Sequence, residues 1–256
     1  MDRPVDLVYT AIMLSALGAG ALARRFVREP AGKAADGAPL ALSVPQRLAL
    51  LFGVIVGGAL GAKLPYVLAD PEGAVSGLAW LRDGRTLTWG LAGGYLGVEL
   101  AKRLASVRAK TGDGFAVPVA VSIAVGRLGC LHAGCCYGAP TGGWGVDLGD
   151  GVLRHPNPLY EAAFHLAMAA LLVWIGRRGW LATHRMKLYL VAYMAFRVVA
   201  EQWRPEPRVA LGLTFYQLSA LGFAALFAAL FVAEGGLELV TSHRVGRGGD
   251  AHRRES

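Results

Sequence analysis

Charge is scarce in this chain. Only 17% of its 256 residues are Asp, Glu, Lys or Arg, and the 18 acidic residues are outnumbered by 26 Lys and Arg. A disordered chain needs the opposite balance, because it stays unfolded by having little apolar surface to bury. Cysteine is scarcer still: the three residues fall in one short stretch, too few and too clustered to staple a secreted miniprotein. There is no collagen-like Gly-X-Y period and no other internal repeat. What abounds is the apolar class, 54% of residues, with a mean hydropathy of +0.43. That composition belongs to a chain whose solvent is a bilayer. The net charge of +8 would suit nucleic acid if the basic residues shared one soluble face. They lie instead in short loops between apolar runs, so no nucleic-acid partner is expected.

A helix that crosses about 30 Å of hydrocarbon takes roughly 20 apolar residues. Seven runs approach this, at about 5–23, 48–69, 87–101, 115–131, 158–175, 187–203 and 211–233. The fold class expected is an all-α integral membrane protein, a bundle of about seven transmembrane helices with a periplasmic loop region between helices four and five. Residues 1–240 make one such domain, and 241–256 read as a cytoplasmic, disordered basic tail. The first run reads as a retained helix, since it is long and arginines follow it. The third is rich in glycine, which lets helix backbones approach closely and predicts a place inside the bundle. Lys and Arg cluster after the first, third, fifth and seventh runs (Arg24 and Arg25, Lys102 and Arg103, Arg177 and Arg178, Arg253 and Arg254). The positive-inside rule then puts the N-terminus outside and the C-terminus in the cytoplasm.

A cation within an apolar run is costly, and that makes it a functional candidate. Lys63, Arg127 and Arg197 are the three. With the predicted orientation all lie toward the outer face, as do Tyr66, one turn from Lys63, and His155, Tyr160 and Glu161 at the start of the fifth run. Arg197, Glu201 and Arg204 share a helix face at i, i+4 and i+7. Other readings stand beside these. Lys63 can snorkel to the headgroups; Arg197 and Glu201 can be a packing pair; Tyr66, Tyr137 and Tyr160 can be an interfacial belt. Two or three guanidiniums at headgroup depth suit a phosphate, which they hold bidentately and whose charge offsets their burial. The ligand natural to that depth is phosphatidylglycerol or another anionic phospholipid.

Four stretches resemble, in the same order, the motifs of the prolipoprotein diacylglyceryl transferase family. These are Gly126-Arg127 through Cys130 to Gly138; Trp144-Gly145-Val146 with Arg154-His155-Pro156 and Leu159-Tyr160-Glu161-Ala162; Arg197, Glu201 and Arg204-Pro205; and Leu211-Gly212-Leu213-Thr214 with Gln217. The resemblance implies a seven-helix inner-membrane transferase. Such an enzyme moves diacylglyceryl from phosphatidylglycerol to the lipobox cysteine of a prolipoprotein signal peptide and releases glycerol phosphate. It implies that Arg127 and Arg197 hold the lipid phosphate, that Glu201 and Arg204 support them, and that His155, Tyr160 and Glu161 shape the substrate pocket with Lys63 and Tyr66. Three positions depart from the family pattern. Thr88-Trp89-Gly90 stands where the family has His-Gly-Gly, Cys130 and Cys135 replace an Asn and a Glu, and Lys63 replaces an arginine.

All three cysteines lie in Cys130-x4-Cys135-Cys136, with His132 among them. Several readings remain open: a zinc site of three sulfurs and a nitrogen, without the usual Cys-x2-Cys spacing; a disulfide that leaves one odd thiol; small apolar filler at a helix exit; or a thiol activated by Arg127 as nucleophile or redox pair. Cys135 is carried forward as the candidate catalytic thiol, with no cofactor and no metal expected. Two rivals to the transferase reading keep its scaffold: a divergent relative using Cys135 or Cys136 on another lipid or thiol acceptor, and a non-catalytic lipid-binding membrane protein.

Overall fold

In the computed structural model, residues 6–26, 42–81, 84–147 and 151–236 are described; the proposed 241–256 tail lies outside them. Helices dominate: α1 (Leu7–Phe26), α2 (Val44–Ala69), the short α3 (Pro71–Ser76) and α4 (Leu78–Leu81), α5 (Leu87–Leu104), α6 (Asp113–His132), α7 (Asn157–Arg177), α8 (Arg185–Ala200) and α9 (Phe215–Ala233). Five of them, α1, α2, α6, α7 and α9, are long and apolar enough to cross a membrane. Their large apolar side chains, such as Leu17, Phe52, Ile55, Leu166 and Leu171, face outward. Water would penalise that arrangement and lipid rewards it. The chain is an all-α membrane protein.

Local chemistry sets the helix ends. Ser43 caps α2 and Thr214 caps α9, each in a reciprocal capping box with Gln46 or Gln217 three residues on. This corrects the seventh run, expected from 211. Residues 208–214 form a hairpin in which β3 (Arg208–Ala210) pairs antiparallel with β4 (Leu213–Thr214). Leu211 and Gly212 turn with positive φ, a conformation that ends any helix, so α9 starts only at Phe215. The loop between α6 and α7 holds a second small pair, β1 (Val146–Asp147) against β2 (Leu153–Arg154).

Packing is pairwise: α2 on α5, α1 on α6, α6 on α7 and α8 on α9. The α2–α5 contact depends on glycine. A Cβ on Gly57 would run into the carbonyl oxygen of Gly93, and one on Gly93 into that of Gly57, so the two backbones touch as small-residue packing requires. At the centre stands α8. Its Tyr189, Leu190, Tyr193 and Met194 are fully enclosed, against Leu172 of α7, Ala116 and Ala120 of α6 and Phe227 of α9. With Arg185, Lys187 and Arg197 also buried, α8 is too polar and short to pass as a lipid-facing span, yet it is the element the others surround.

Candidate active site

Three arginines from separate parts of the chain meet around two carboxylates. Arg127, near the end of α6, has no acidic residue within a turn of its own; its partner comes from α7, where its guanidinium pairs with Glu161 Oε2. Arg197, in the last turn of α8, donates from Nη1 to Glu161 Oε1 at 2.8 Å and from Nη2 to Glu201 Oε2 at 2.6 Å. Past the end of α8 a 3-10 turn, Glu201–Trp203, swings the chain so that Arg204 lies 3.8 Å from Glu201, 3.9 Å from Glu161 and 3.8 Å from Glu206. Glu161 is 1% exposed and Glu201 2%. Buried charges demand this kind of mutual pairing. Three cations face two enclosed anions, while Glu206 meets Arg204 from a partly exposed position. The Nε–H groups of Arg127 and Arg197 are buried with no acceptor among the described residues.

The sequence reading missed the lower half of this network. The Tyr193 hydroxyl donates to Glu161 Oε2 at 3.2 Å. One turn further, His165 Nδ1 lies 2.9 Å from the Tyr189 hydroxyl. The signal was there: Glu161 and His165 are spaced i, i+4 on α7, and Tyr189, Tyr193 and Arg197 are spaced i, i+4, i+8 on α8, so both place polar groups on one facing stripe.

The predicted residues divide into groups. Arg127, Arg197, Glu161, Glu201 and Arg204 come together; Glu161 lies beneath the guanidiniums and holds them, where it was expected to line a pocket. His155 and Tyr160 form a second group, with His155 Nδ1 3.1 Å from the Tyr160 hydroxyl. Trp144 stacks on Tyr160, and Trp203 packs edge-on to Tyr160 and tilted against His155. The Ala139 amide ties the segment after α6 to the 3-10 turn by donating to the Trp203 carbonyl (2.7 Å), and the neighbouring Gly138 amide donates to the His155 carbonyl (2.8 Å). Gly138 must be glycine, because a Cβ there would strike the Trp203 carbonyl and the His155 side chain. Lys63 is buried on α2, while Tyr66 meets α9, accepting from the Tyr216 hydroxyl at 3.4 Å.

The cysteines converge as well. The Cys135 amide donates to the Cys130 carbonyl at 3.0 Å, closing the exit of α6. Cys136 then takes a left-handed φ of 60° that folds its side chain back. The three Sγ atoms lie within 4.8 Å of one another, all as half-buried free thiols. Arg127 Nη1 lies 3.8 Å from Cys130 Sγ. Hydrogen bonds within the cluster draw the Cys136 thiol below the ordinary range, helped by the Arg127 and Arg204 charges and opposed by burial, and the same bonds push the Cys135 thiol, the one carried forward from the sequence, above it. His132 does not join: its Nε2 pairs with Asp6 at 3.1 Å.

The family profile described as prolipoprotein diacylglyceryl transferase matches residues 8–233. The chain belongs to the prolipoprotein diacylglyceryl transferase family. Relatives named phosphatidylglycerol–prolipoprotein diacylglyceryl transferase agree. The one from Clostridium tetani is 31% identical over 189 residues, 68% of this chain and 72% of the relative. That from Cupriavidus metallidurans is 31% identical over 214 residues, 79% of this chain and 77% of the relative. A Geobacter sulfurreducens relative reaches 34% over 184 residues, 64% of this chain and 65% of its own length. The matched span contains the arginine–glutamate network, the His155–Tyr160 group and the thiol cluster.

Proposed function

We propose that this chain transfers diacylglyceryl from phosphatidylglycerol to the lipobox cysteine of a prolipoprotein. All seven long helices cross the bacterial inner membrane in this reading, with the N-terminus and the α6–α7 loop periplasmic and the C-terminus cytoplasmic, as the Lys and Arg asymmetry favours. Residues up to about 240 form the catalytic unit, and the remainder is a basic tail. The observation that carries the reading is the pair of buried Nε–H donors of Arg127 and Arg197 without acceptors among the described residues, in a cluster of three arginines whose enclosed counter-charges are Glu161 and Glu201 while Glu206 meets Arg204 from a partly exposed position. A lipid phosphate supplies the missing acceptors.

In the reaction the acceptor thiol gives up its proton to water, and its sulfur, as the thiolate, bonds to the glycerol carbon while that carbon's bond to phosphate oxygen breaks. Charge builds on the phosphate, and guanidiniums already aimed there stabilise it without reorganising. Glu161, Glu201 and Tyr193 hold that aim. The aromatic group of Trp144, His155, Tyr160 and Trp203 offers a face beside the arginines for the lipid glycerol or the peptide.

The test is mass spectrometry of products after incubating purified protein with phosphatidylglycerol and a cysteine-bearing lipobox peptide. A thioether-linked diacylglyceryl peptide is expected, and Arg127→Ala or Arg197→Ala abolishes it while insertion stays normal. Undiminished transfer by either variant counts against this site. The thiol cluster favours a second reading, a divergent relative acting on another lipid or thiol acceptor through Cys135 or Cys136. Consumption of phospholipid without a lipobox product would select it.

A further inference from the structure

We propose that Cys130, Cys135 and Cys136 form a three-thiolate site for one zinc ion whose fourth coordination position receives the acceptor thiol. The cysteine spacing alone gave an expectation of no metal; the convergence of the three sulfurs in the fold is the ground for proposing one. Zinc–sulfur bonds of about 2.3 Å at tetrahedral angles put sulfurs about 3.8 Å apart. The three Sγ atoms, within 4.8 Å of one another, need only rotate inward by about an ångström to close on the ion. The backbone is already committed to that convergence through the left-handed turn at Cys136 and the Cys135 to Cys130 amide bond. Three sulfurs with no carboxylate or imidazole are a soft donor set that selects zinc over magnesium or calcium.

A zinc ion with three thiolates carries a net charge of −1, and the Arg127 guanidinium, which also pairs with Glu161, lies beside it, 3.8 Å from Cys130 Sγ. His132 is turned to Asp6, so the protein supplies three ligands from this loop. Structural zinc sites are closed by four protein ligands, whereas three ligands and an open position mark sites that bind a reactant. The thiols are only half-buried, so the open position can be reached.

The part of this proposal that concerns the acceptor rests on the transferase reading above. A free thiol, with a pKa of about 8.5, is mostly protonated at neutral pH. On binding zinc the acceptor sulfur releases its proton to water and stays as a thiolate. That sulfur then uses a lone pair to bond the glycerol carbon, and the carbon–oxygen pair departs with the phosphate held by the arginines. The zinc neither gains nor loses electrons. The thiol and phosphate ends of the reaction thus meet at Arg127, which borders both.

The experiment uses full-length protein in detergent, fully reduced and prepared without chelator. Plasma mass spectrometry is expected to find one zinc per chain. Cobalt(II) replacing it is expected to give thiolate charge-transfer and tetrahedral ligand-field bands. Cys→Ser at any of the three weakens the affinity at least about tenfold, while His132→Ala leaves it unchanged. Titrating the cobalt protein with the lipobox peptide shifts the ligand-field bands, and the same peptide with serine for cysteine does not. Reduced wild-type protein that takes up neither metal, or binding that survives replacement of all three cysteines, overturns the site. Metal binding with bands unmoved by the cysteine peptide overturns the acceptor role. Thioether product made equally well by metal-free protein removes zinc and leaves the transferase reading standing. A peptide-dependent shift without any product from phosphatidylglycerol does the reverse.

Discussion

Replacing Glu161 with glutamine removes one charge and changes almost no volume. The carboxylate is 1% exposed. It pairs with Arg127 and Arg197 and accepts from Tyr193. Glutamine keeps an acceptor oxygen but leaves the three guanidiniums with only Glu201 as an enclosed counter-charge. Breaking a buried pair by removing one partner costs about 3–5 kcal/mol, which is roughly a hundred- to several-thousandfold in the folding equilibrium at 1.4 kcal/mol per tenfold. The assay is SDS or thermal unfolding of the detergent-solubilised protein, followed by diacylglyceryl transfer at a temperature where the variant is still folded. Transfer is expected to fall about 100-fold, the scale of a misplacement near 1 Å at the reacting centre. Arg127→Met combined with Glu161→Gln removes both ends of the pair, so its cost falls short of the sum of the singles by about 0.5–3 kcal/mol. Glu161→Gln within about 1 kcal/mol of wild type, with additive singles, would refute the idea that this carboxylate holds the arginines.

Gly57→Val puts a branched side chain against the Gly93 carbonyl and the Gly97 backbone; it is expected to cost about 1–3 kcal/mol, read as faster thermal inactivation in detergent. Arg197→Lys keeps the charge but not the forked contact to Glu161 and Glu201. Turnover should drop with little loss of phospholipid binding, measured as kcat against KM, because lysine cannot reproduce bidentate geometry. At the other end of the bundle, burial pushes Glu234 up, but hydrogen bonds from Lys110 (2.8 Å) and Lys187 (3.0 Å) outweigh it and hold the carboxyl below its ordinary range. A depressed folded pKa stabilises above the unfolded value of about 4.3, and that stability is lost as pH falls through the lower folded value. Wild type should therefore lose more melting temperature than Glu234→Gln on acidification below about pH 4.3; parallel profiles would refute the pairing.

Much of the helical layout was legible because each element carries its own signature. The runs at 48–69 and 158–175 fall within α2 and α7, since apolar length is a property of the run alone. Arg197 with Glu201 could be read the same way, because i, i+4 neighbours meet on any helix. The seventh run was overextended because Leu211 and Leu213 look apolar whether they sit in a hairpin or a helix, and only the positive φ at Leu211 and Gly212 separates the two. Likewise α8, with three buried cations, resembles a surface helix in composition and is the most enclosed element of all.

The amino-acid order alone decided that this chain dissolves in lipid, where its helices run and which cations are stranded within them; these follow from composition and from contacts a few residues apart. Tertiary structure decided which stranded groups meet. Nothing within a turn of Arg127 announces Glu161, 34 positions later on another helix, and nothing in Cys130-x4-Cys135-Cys136 says that the sulfurs converge while His132 turns to Asp6. Those pairings depend on the rotation and depth at which helices pack and on the backbone turn at Cys136, quantities that no single segment carries.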